Sequence, residues 1–261
     1  MAERLDQRMV ALGLADTRAA AQALILTGDV ELADRPGRRL TAGLRVAADA
    51  QITVRRRPRW ASRGGDKLAA ALSEFAVDPA GLTCLDAGAS TGGFTDVLLA
   101  GGARRVYAVD VGRGQLVARL AVDARVIVHD RTNLRTLDAL PEPIDLATLD
   151  LSFISLALAM PAVARLLAAD GRVVALVKPQ FEAGREQVPR GGVIRDPTVH
   201  RAVLERVPAM AAAAGLAARR LIASPLTGGD GNREFLALLD RDPPAANDWL
   251  AQIDSAMGEQ A

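Results

Sequence analysis

The chain has 261 residues, of which 50% are apolar and 24% charged, with a formal net charge of +1. Such a chain suits one large folded domain plus a small one, and it is neither a disordered tail nor a disulfide scaffold, since its one cysteine, Cys84, has no intrachain partner. No apolar run reaches the ~18 residues of a membrane span, and "MAERLDQRMV" at the start has no apolar leader core, so a cytoplasmic protein is predicted.

The near-zero charge conceals an asymmetry. Residues 1–65 carry 12 basic and 7 acidic side chains, whereas the remainder carries 20 and 24. A basic N-terminal segment on a mildly acidic body suits an anionic polymer as partner; a solvated, arginine-rich surface is the alternative. In "RLDQRMVALGL", Leu5, Met9 and Leu12 recur at helical spacing until Gly13 stops the helix. Asp16 or Thr17 can cap a second helix, "RAAAQALILTG", which Gly28 ends. "DVEL" and "AQITV" read as strands around a turn-rich stretch. Residues 1–54 thus form a small α+β module, in which Arg4, Arg8 and Arg18 are candidates for RNA phosphate contacts. Residues 55–65, "RRRPRWASRGG", read as a basic linker: either a surface loop, or a hinge whose Arg55, Arg56, Arg57, Arg59 and Arg63 touch RNA phosphates while Trp60 stacks on a base or pins the domains together.

Residues 66–242 alternate. "KLAAALSEF" is a helix, "TCLDAG" a strand, "GGFTDVLLAGG" a helix, "RVYAVDVG" a strand, "QLVARLAVD" a helix and "VIVHD" a strand. "IDLATLDLSF" and "GRVVALVKPQF" are strands on either side of the helix "LALAMPAVARLLAA". After the long helix "PTVHRAVLERVPAMAAAAGL" come two strands with no helix between them, "RRLIASPL" and "EFLALLD", so the last one runs antiparallel. Short apolar strands alternating with helices predict a Rossmann-like α/β fold, a parallel sheet covered on both faces. Residues 243–261 are a tail, polar and then weakly helical.

Ligands of such sheets sit beyond the carboxyl ends of the strands, and the candidate residues gather there. Asp86 and Gly88 end the first strand of this part, and Ala89, Ser90, Thr91, Gly92, Gly93 and Phe94 lead into the next helix. The glycines let a ligand approach the backbone, and the helix start offers free N–H groups. Asp110 ends the second strand, 24 residues after Asp86, placed to accept from ribose hydroxyls, with Val111 beside it. Asp130, followed by Arg131, ends the third, and Asp150 ends the fourth. A dinucleotide turn would read G-x-G-x-x-G, but here Ser90 stands where its second glycine belongs. An acid at the turn repels a pyrophosphate yet can orient an amino group, which favours S-adenosylmethionine over NAD; plain helix caps are a third reading. Lys67, Lys178 and Glu234 fall at the same end of the sheet beside Asp150. In a crowded, partly buried cluster a lysine can serve as a base near neutral pH, here toward a ribose 2′-hydroxyl. No metal-ligand spacing was found.

Taken together, "SRGGDKL", "DAGASTGGFTDVLL", "DVGRGQL", "DRTNLR", "DLSFISL", "VKPQFEAG", "GGVIRDP" and "GNREFL" in this order closely resemble the TlyA family of ribosomal RNA 2′-O-methyltransferases, whose members are sometimes called haemolysins. The N-terminal segment resembles the S-four-type RNA-binding domain, and the rest resembles FtsJ-like methyltransferases. The resemblance implies a tetrad of Lys67, Asp150, Lys178 and Glu234, with Lys178 as the base, and a cofactor pocket around Gly88, Ser90, Gly92, Asp110 and Asp130. It implies methylation of a cytidine 2′-hydroxyl in ribosomal RNA of one or both subunits by a monomer, without metal or membrane. A non-catalytic RNA-binding assembly factor and a cytolysin are the competing readings.

Overall fold

The computed structural model describes residues 2–258 except 16, 27, 36, 39, 55–58 and 243–247. The candidates Arg55, Arg56 and Arg57 lie outside the described residues. Two compact units divide the chain, residues 1–59 and residues 60–261.

In the first unit, strand β1 (Glu3–Arg4) leads directly into helix α1 (Leu5–Ala11), followed by α2 (Arg18–Leu26), β2 (Val30–Leu32), β3 (Arg45–Val46) and β4 (Ile52–Val54). Thr17 supplies the cap of α2, its Oγ1 accepting from Ala20 N at 3.1 Å. β1 pairs with β3 and β2 with β4, both antiparallel. Leu5, Met9, Ala21, Ile25 and Leu32 close a small core. At its edge the carboxylate of Asp6 is fully buried and accepts from Arg4 (twice, 3.0 Å), Arg18 (2.9 Å) and Gln22 (2.8 Å). The Arg4 guanidinium, with Gln22 and Arg18 behind it, holds the Asp6 carboxyl far below the usual carboxylate range. Arg8 is directed back onto its own unit, donating to the Ala48 carbonyl. The three arginines expected to face RNA are therefore engaged internally. Arg4 and Arg18 neutralise a buried acid, which an isolated carboxylate at that position would require.

The second unit contains α3 (Gly64–Glu74), β5 (Thr83–Ala87), α4 (Gly93–Ala100), β6 (Arg105–Val109), α5 (Ala118–Ala121), β7 (Val126–His129), β8 (Ile144–Leu149), α6 (Leu156–Leu166), β9 (Leu167–Val177), α7 (Pro179–Glu182), α8 (Pro197–Ala213), β10 (Ala217–Ala223), β11 (Phe235–Asp240) and α9 (Trp249–Met257). Its seven-stranded sheet has the order β10-β11-β9-β8-β5-β6-β7. β5 to β9 are parallel, and β11 runs antiparallel to both neighbours, as expected from the missing helix.

The strands are apolar on both faces, and the two-residue period sorts them. Leu85, Ala87, Tyr107, Val109, Ala147 and Leu149 face the core that includes α6, α8 and α9. Cys84, Val106, Ala108, Leu146, Val174 and Leu176 face the core that includes α3 and α4. Trp60 belongs to this second core. It is 9% exposed and lies against Gly65, where any side chain would overlap its ring. A buried indole cannot offer a face to an RNA base, so the stacking role expected for Trp60 does not hold; the ring anchors the start of the second unit.

Candidate active site

The site lies beyond the carboxyl ends of β5, β6, β8 and β9. β5 runs into Gly88, whose φ of +87° turns the chain sharply. A Cβ there would overlap the Asp150 backbone oxygen and stand 2.9 Å from its carbonyl carbon, so this approach requires glycine. Ser90 holds the left-handed region without that freedom, at φ +47°. Its N–H donates to Asp110 Oδ2 at 2.8 Å, while Asp110 Oδ1 accepts from Gly112 N at 2.7 Å. The Asp110 carboxylate thus ties the glycine turn to the loop after β6.

Two cavities meet at this turn and share Gly88, Ser90 and Asp150. The first, about 460 Å³, is lined by Asp110, Val111, Gln115 and the stretch from Thr132 to Arg135. The second, about 420 Å³, is lined by Ala89, Thr91, Gly93 and Phe94 together with Lys67, Asp150, Lys178 and Glu234. All four tetrad candidates therefore face one cavity. They form two ion pairs: Lys67 Nζ to Glu234 Oε2 at 2.5 Å and Lys178 Nζ to Asp150 Oδ1 at 2.6 Å. Each lysine is thus held by a carboxylate, and both lysines line the same cavity. Lys178 also donates to Ser152 Oγ at 3.0 Å, a partner the sequence did not single out. Arg63 is exposed at the rim of this cavity.

Four other expected cofactor residues are placed differently. Asp86 lies on the same strand face as Cys84, toward α4. It is fully buried, accepting from Thr95 N (2.8 Å), Thr95 Oγ1 (2.6 Å) and Thr148 Oγ1 (3.3 Å). Burial pushes its carboxyl up to about 6, against those hydrogen bonds. It lines neither cavity, so it cannot orient a cofactor amino group directly; it fixes the start of α4 against the sheet. Asp130 and Arg131 also stand outside both cavities. Asp130 accepts from Gly114 N at 2.8 Å, and Arg131 N donates to the Gly112 carbonyl at 2.8 Å, so the pair shapes the loop after β6. The residues just beyond, Thr132 to Arg135, line the cavity instead. Gly92, with φ +99°, precedes α4 against Leu116 and Leu120, and no cavity touches it either.

Phe153 went unremarked in the sequence. It is 91% exposed, lines the first cavity, holds φ +63° and meets the Phe181 ring at 5.0 Å between centroids. A bulky residue in the left-handed region is rare, and such strain concentrates at functional sites.

A parallel sheet closed by an antiparallel strand, a glycine turn at β5 and a carboxylate at the end of β6 define the S-adenosylmethionine-dependent methyltransferase class. Residues 60–241 match the family model described as FtsJ-like methyltransferase. The 16S/23S rRNA (cytidine-2′-O)-methyltransferase TlyA of Mycobacterium tuberculosis is 43% identical, over 90% of this chain and 89% of its own. Hemolysin A of Brachyspira hyodysenteriae is 37% identical, over 90% of this chain and 98% of its own. A Streptococcus thermophilus protein solved under the description of a hemolysin superposes with a TM-score of 0.76 at 40% identity, covering 99% of this chain and 96% of that one. The chain belongs to the FtsJ-like methyltransferases and, within them, to the TlyA family. Its cofactor is S-adenosylmethionine. The donor set fits that group: a carboxylate for ribose hydroxyls at Asp110, an apolar wall at Val111, and polar side chains at Gln115 and Thr132. No helix among the described residues is long and apolar enough to cross a membrane.

Proposed function

We propose that the protein methylates the 2′-hydroxyl of a cytidine in ribosomal RNA, acting as a cytoplasmic monomer. The supporting observation is the single cavity lined by both acid–lysine pairs, which opens at Gly88, Ser90 and Asp150 into the cavity suited to the cofactor. Asp110 and Val111 would hold the nucleoside part of S-adenosylmethionine, with Gln115 and Thr132 beside them. The bound cofactor supplies an electrophilic methyl group on a sulfonium centre.

The acceptor ribose enters the second cavity. Lys178 Nζ would take the proton of the 2′-hydroxyl as the O–H bond breaks and an N–H bond forms, freeing the oxygen to accept the methyl group, while the electron pair of the broken C–S bond would remain on the cofactor's sulfur. Asp150 and Ser152 aim Lys178, and Asp150 stabilises the ammonium that results. Lys67, fixed by Glu234, places a positive charge near the developing oxyanion. Phe153, exposed at the lip, is the platform for the acceptor base. The first unit resembles the S-four type of RNA-binding module and supplies additional RNA contacts. Nucleoside mass spectrometry of ribosomal RNA from cells with and without the gene tests this: one or more 2′-O-methylcytidines should vanish with the gene, and an unchanged ribose-methylation map would overturn the proposal.

A further inference from the structure

Between α7 and α8 a loop crosses the second unit close to the catalytic cavity. Its residues 189–195, Pro-Arg-Gly-Gly-Val-Ile-Arg, make no helix or strand. The loop is nonetheless fixed. Gly192 N donates to the Pro189 carbonyl at 2.8 Å, closing a tight turn with Arg190 at its outer corner. Ile194, 2% exposed, anchors the other end: its N–H donates to Asn232 Oδ1 at 3.0 Å, and its carbonyl meets His200 Nε2 at 3.2 Å. Asn232 Nδ2 donates to the Gly192 carbonyl at 2.9 Å. Asn232 is 1% exposed, so both ends of a buried amide hold this loop. It also accepts from Gly228 N through its own carbonyl, in the loop whose Thr227 and Gly229 line the catalytic cavity, and it stands two residues before Glu234.

A buried amide hydrogen-bonded through both its oxygen and its nitrogen favours one geometry, because turning it away strands polar groups out of reach of water. That geometry presents two exposed side chains, Arg190 and Arg195, which make no ion pair or hydrogen bond among the described residues. Several arginines elsewhere in the second unit already have their charge met by a carboxylate: Arg104 and Arg105 by Glu142, Arg119 by Asp96, Arg201 by Asp254 and Arg219 by Asp240. Beside Arg190, Gly191 and Gly192 leave the backbone bare. A Cβ on Gly191 or Gly192 would meet nothing within 4 Å. Two uncommitted arginines around an open glycine surface match the shape and charge of a polynucleotide backbone.

We infer that residues 189–195 form a clamp for the phosphates flanking the methylated ribose, with Arg190 and Arg195 making the contacts and Asn232 fixing the clamp to the catalytic loop. This inference rests on the RNA reading of the active site.

The test uses the full-length protein, intact ribosomal subunits and S-adenosylmethionine. Subunit affinity is measured over a range of salt for the wild type, Arg190→Ala/Arg195→Ala and Arg190→Lys/Arg195→Lys, and cofactor affinity is measured alongside by calorimetry. Each phosphate contact to a single strand contributes about 0.7 to the slope of log affinity against log salt, so the double alanine variant should lose about 1.4 in slope, and the lysine pair should retain it. Cofactor affinity should stay unchanged. A wild-type slope and affinity in the alanine variant would overturn the clamp, as would a cofactor affinity that falls in step with subunit affinity. If the wild type itself binds no subunit in a salt-dependent way, the RNA reading of the whole site fails instead.

Discussion

Gly88→Ala is the most informative single-atom perturbation of this site. The added methyl group meets two obstacles. Gly88 sits at φ +87°, where an L side chain costs roughly 1–2 kcal/mol. The new Cβ would also overlap the Asp150 backbone oxygen and approach Leu151 Cδ2 at 3.3 Å; overpacking of this kind costs about 1–3 kcal/mol. The combined penalty is about 2–5 kcal/mol. For a unit of this size each kcal/mol lowers the melting temperature by about 2–4 °C, so a fall of roughly 4–20 °C is expected. The strain can be relieved only by moving the end of β8, where Asp150 N is bonded to the Ala87 carbonyl at 3.0 Å. That movement would displace the carboxylate that aims Lys178, so methyl transfer should fall as well. Gly114→Ala is the control: it has φ +60° but nothing within 4 Å of a Cβ, so only the backbone cost of about 1–2 kcal/mol applies. Scanning fluorimetry and a methyl-transfer assay on both variants decide the matter. If Gly88→Ala melts and turns over like Gly114→Ala, the close approach of Asp150 to the turn is wrong.

Breaking the buried Lys67–Glu234 pair on one side, as Lys67→Met or Glu234→Leu, should cost about 3–5 kcal/mol in denaturant unfolding; the double replacement should recover much of it, and additive losses would argue against the pairing. Phe153→Ala should lower kcat/KM on ribosomal subunits about 5- to 150-fold, the worth of one base stack, and by more than it lowers cofactor affinity; an unchanged kcat/KM would remove it as the platform. Asp86 gives a pH signature. Its carboxyl titrates at about 6 in the fold against an ordinary 3.8, so the folded state binds the extra proton. Its contribution to stability is complete below about pH 4 and is lost as pH rises through 6. Asp86→Asn should therefore gain stability relative to the wild type as pH is raised from 5 to 8, and a constant difference in melting temperature would contradict the burial. Asp6→Ala should destabilise the first unit by about 2–4 kcal/mol, by leaving the Arg4 and Arg18 charges without their carboxylate; local hydrogen exchange in residues 2–26 would report it, and native protection there would refute it.

The sheet and its helices were legible because apolar strands and amphipathic helices alternate with little else between them, and because a strand pair without an intervening helix forces the last strand to run antiparallel. The gathering of Lys67, Asp150, Lys178 and Glu234 at one cavity was legible because four charged residues interrupt apolar runs at strand and helix ends. What failed was the inference from strand end to cavity. Asp86 and Asp110 both close apolar strands, but the two-residue period turns Asp86 under α4, while Asp110 emerges past Val109 into the crevice. Asp130 was chosen by the same rule, yet the loop carries the lining function two residues further on. Charge counting also could not show that Arg4 and Arg18 converge on one buried acid across 2 and 12 residues of sequence, a pairing that only the fold creates. Trp60 stood out by its arginine neighbours, but the absence of a side chain at Gly65 decides its place. Phe153 and Asn232 lie within the blocks "DLSFISL" and "GNREFL", but nothing in the sequence singled them out there. One is marked by its backbone angle and exposure, and the other by hydrogen bonds to residues about 40 positions away.

The central claim is that Lys178 Nζ, aimed by Asp150, removes the ribose proton. Single-turnover transfer of labelled methyl from S-adenosylmethionine to ribosomal subunits, compared between the wild type and Lys178→Ala with cofactor affinity measured in parallel, tests it most directly. The account predicts a rate loss of about 10²- to 10⁴-fold, the usual worth of a positioned base, with cofactor affinity unchanged and the wild-type label on a cytidine 2′-oxygen. A Lys178→Ala enzyme that transfers methyl at the wild-type rate, or a wild-type label on a base instead of a ribose, would contradict it.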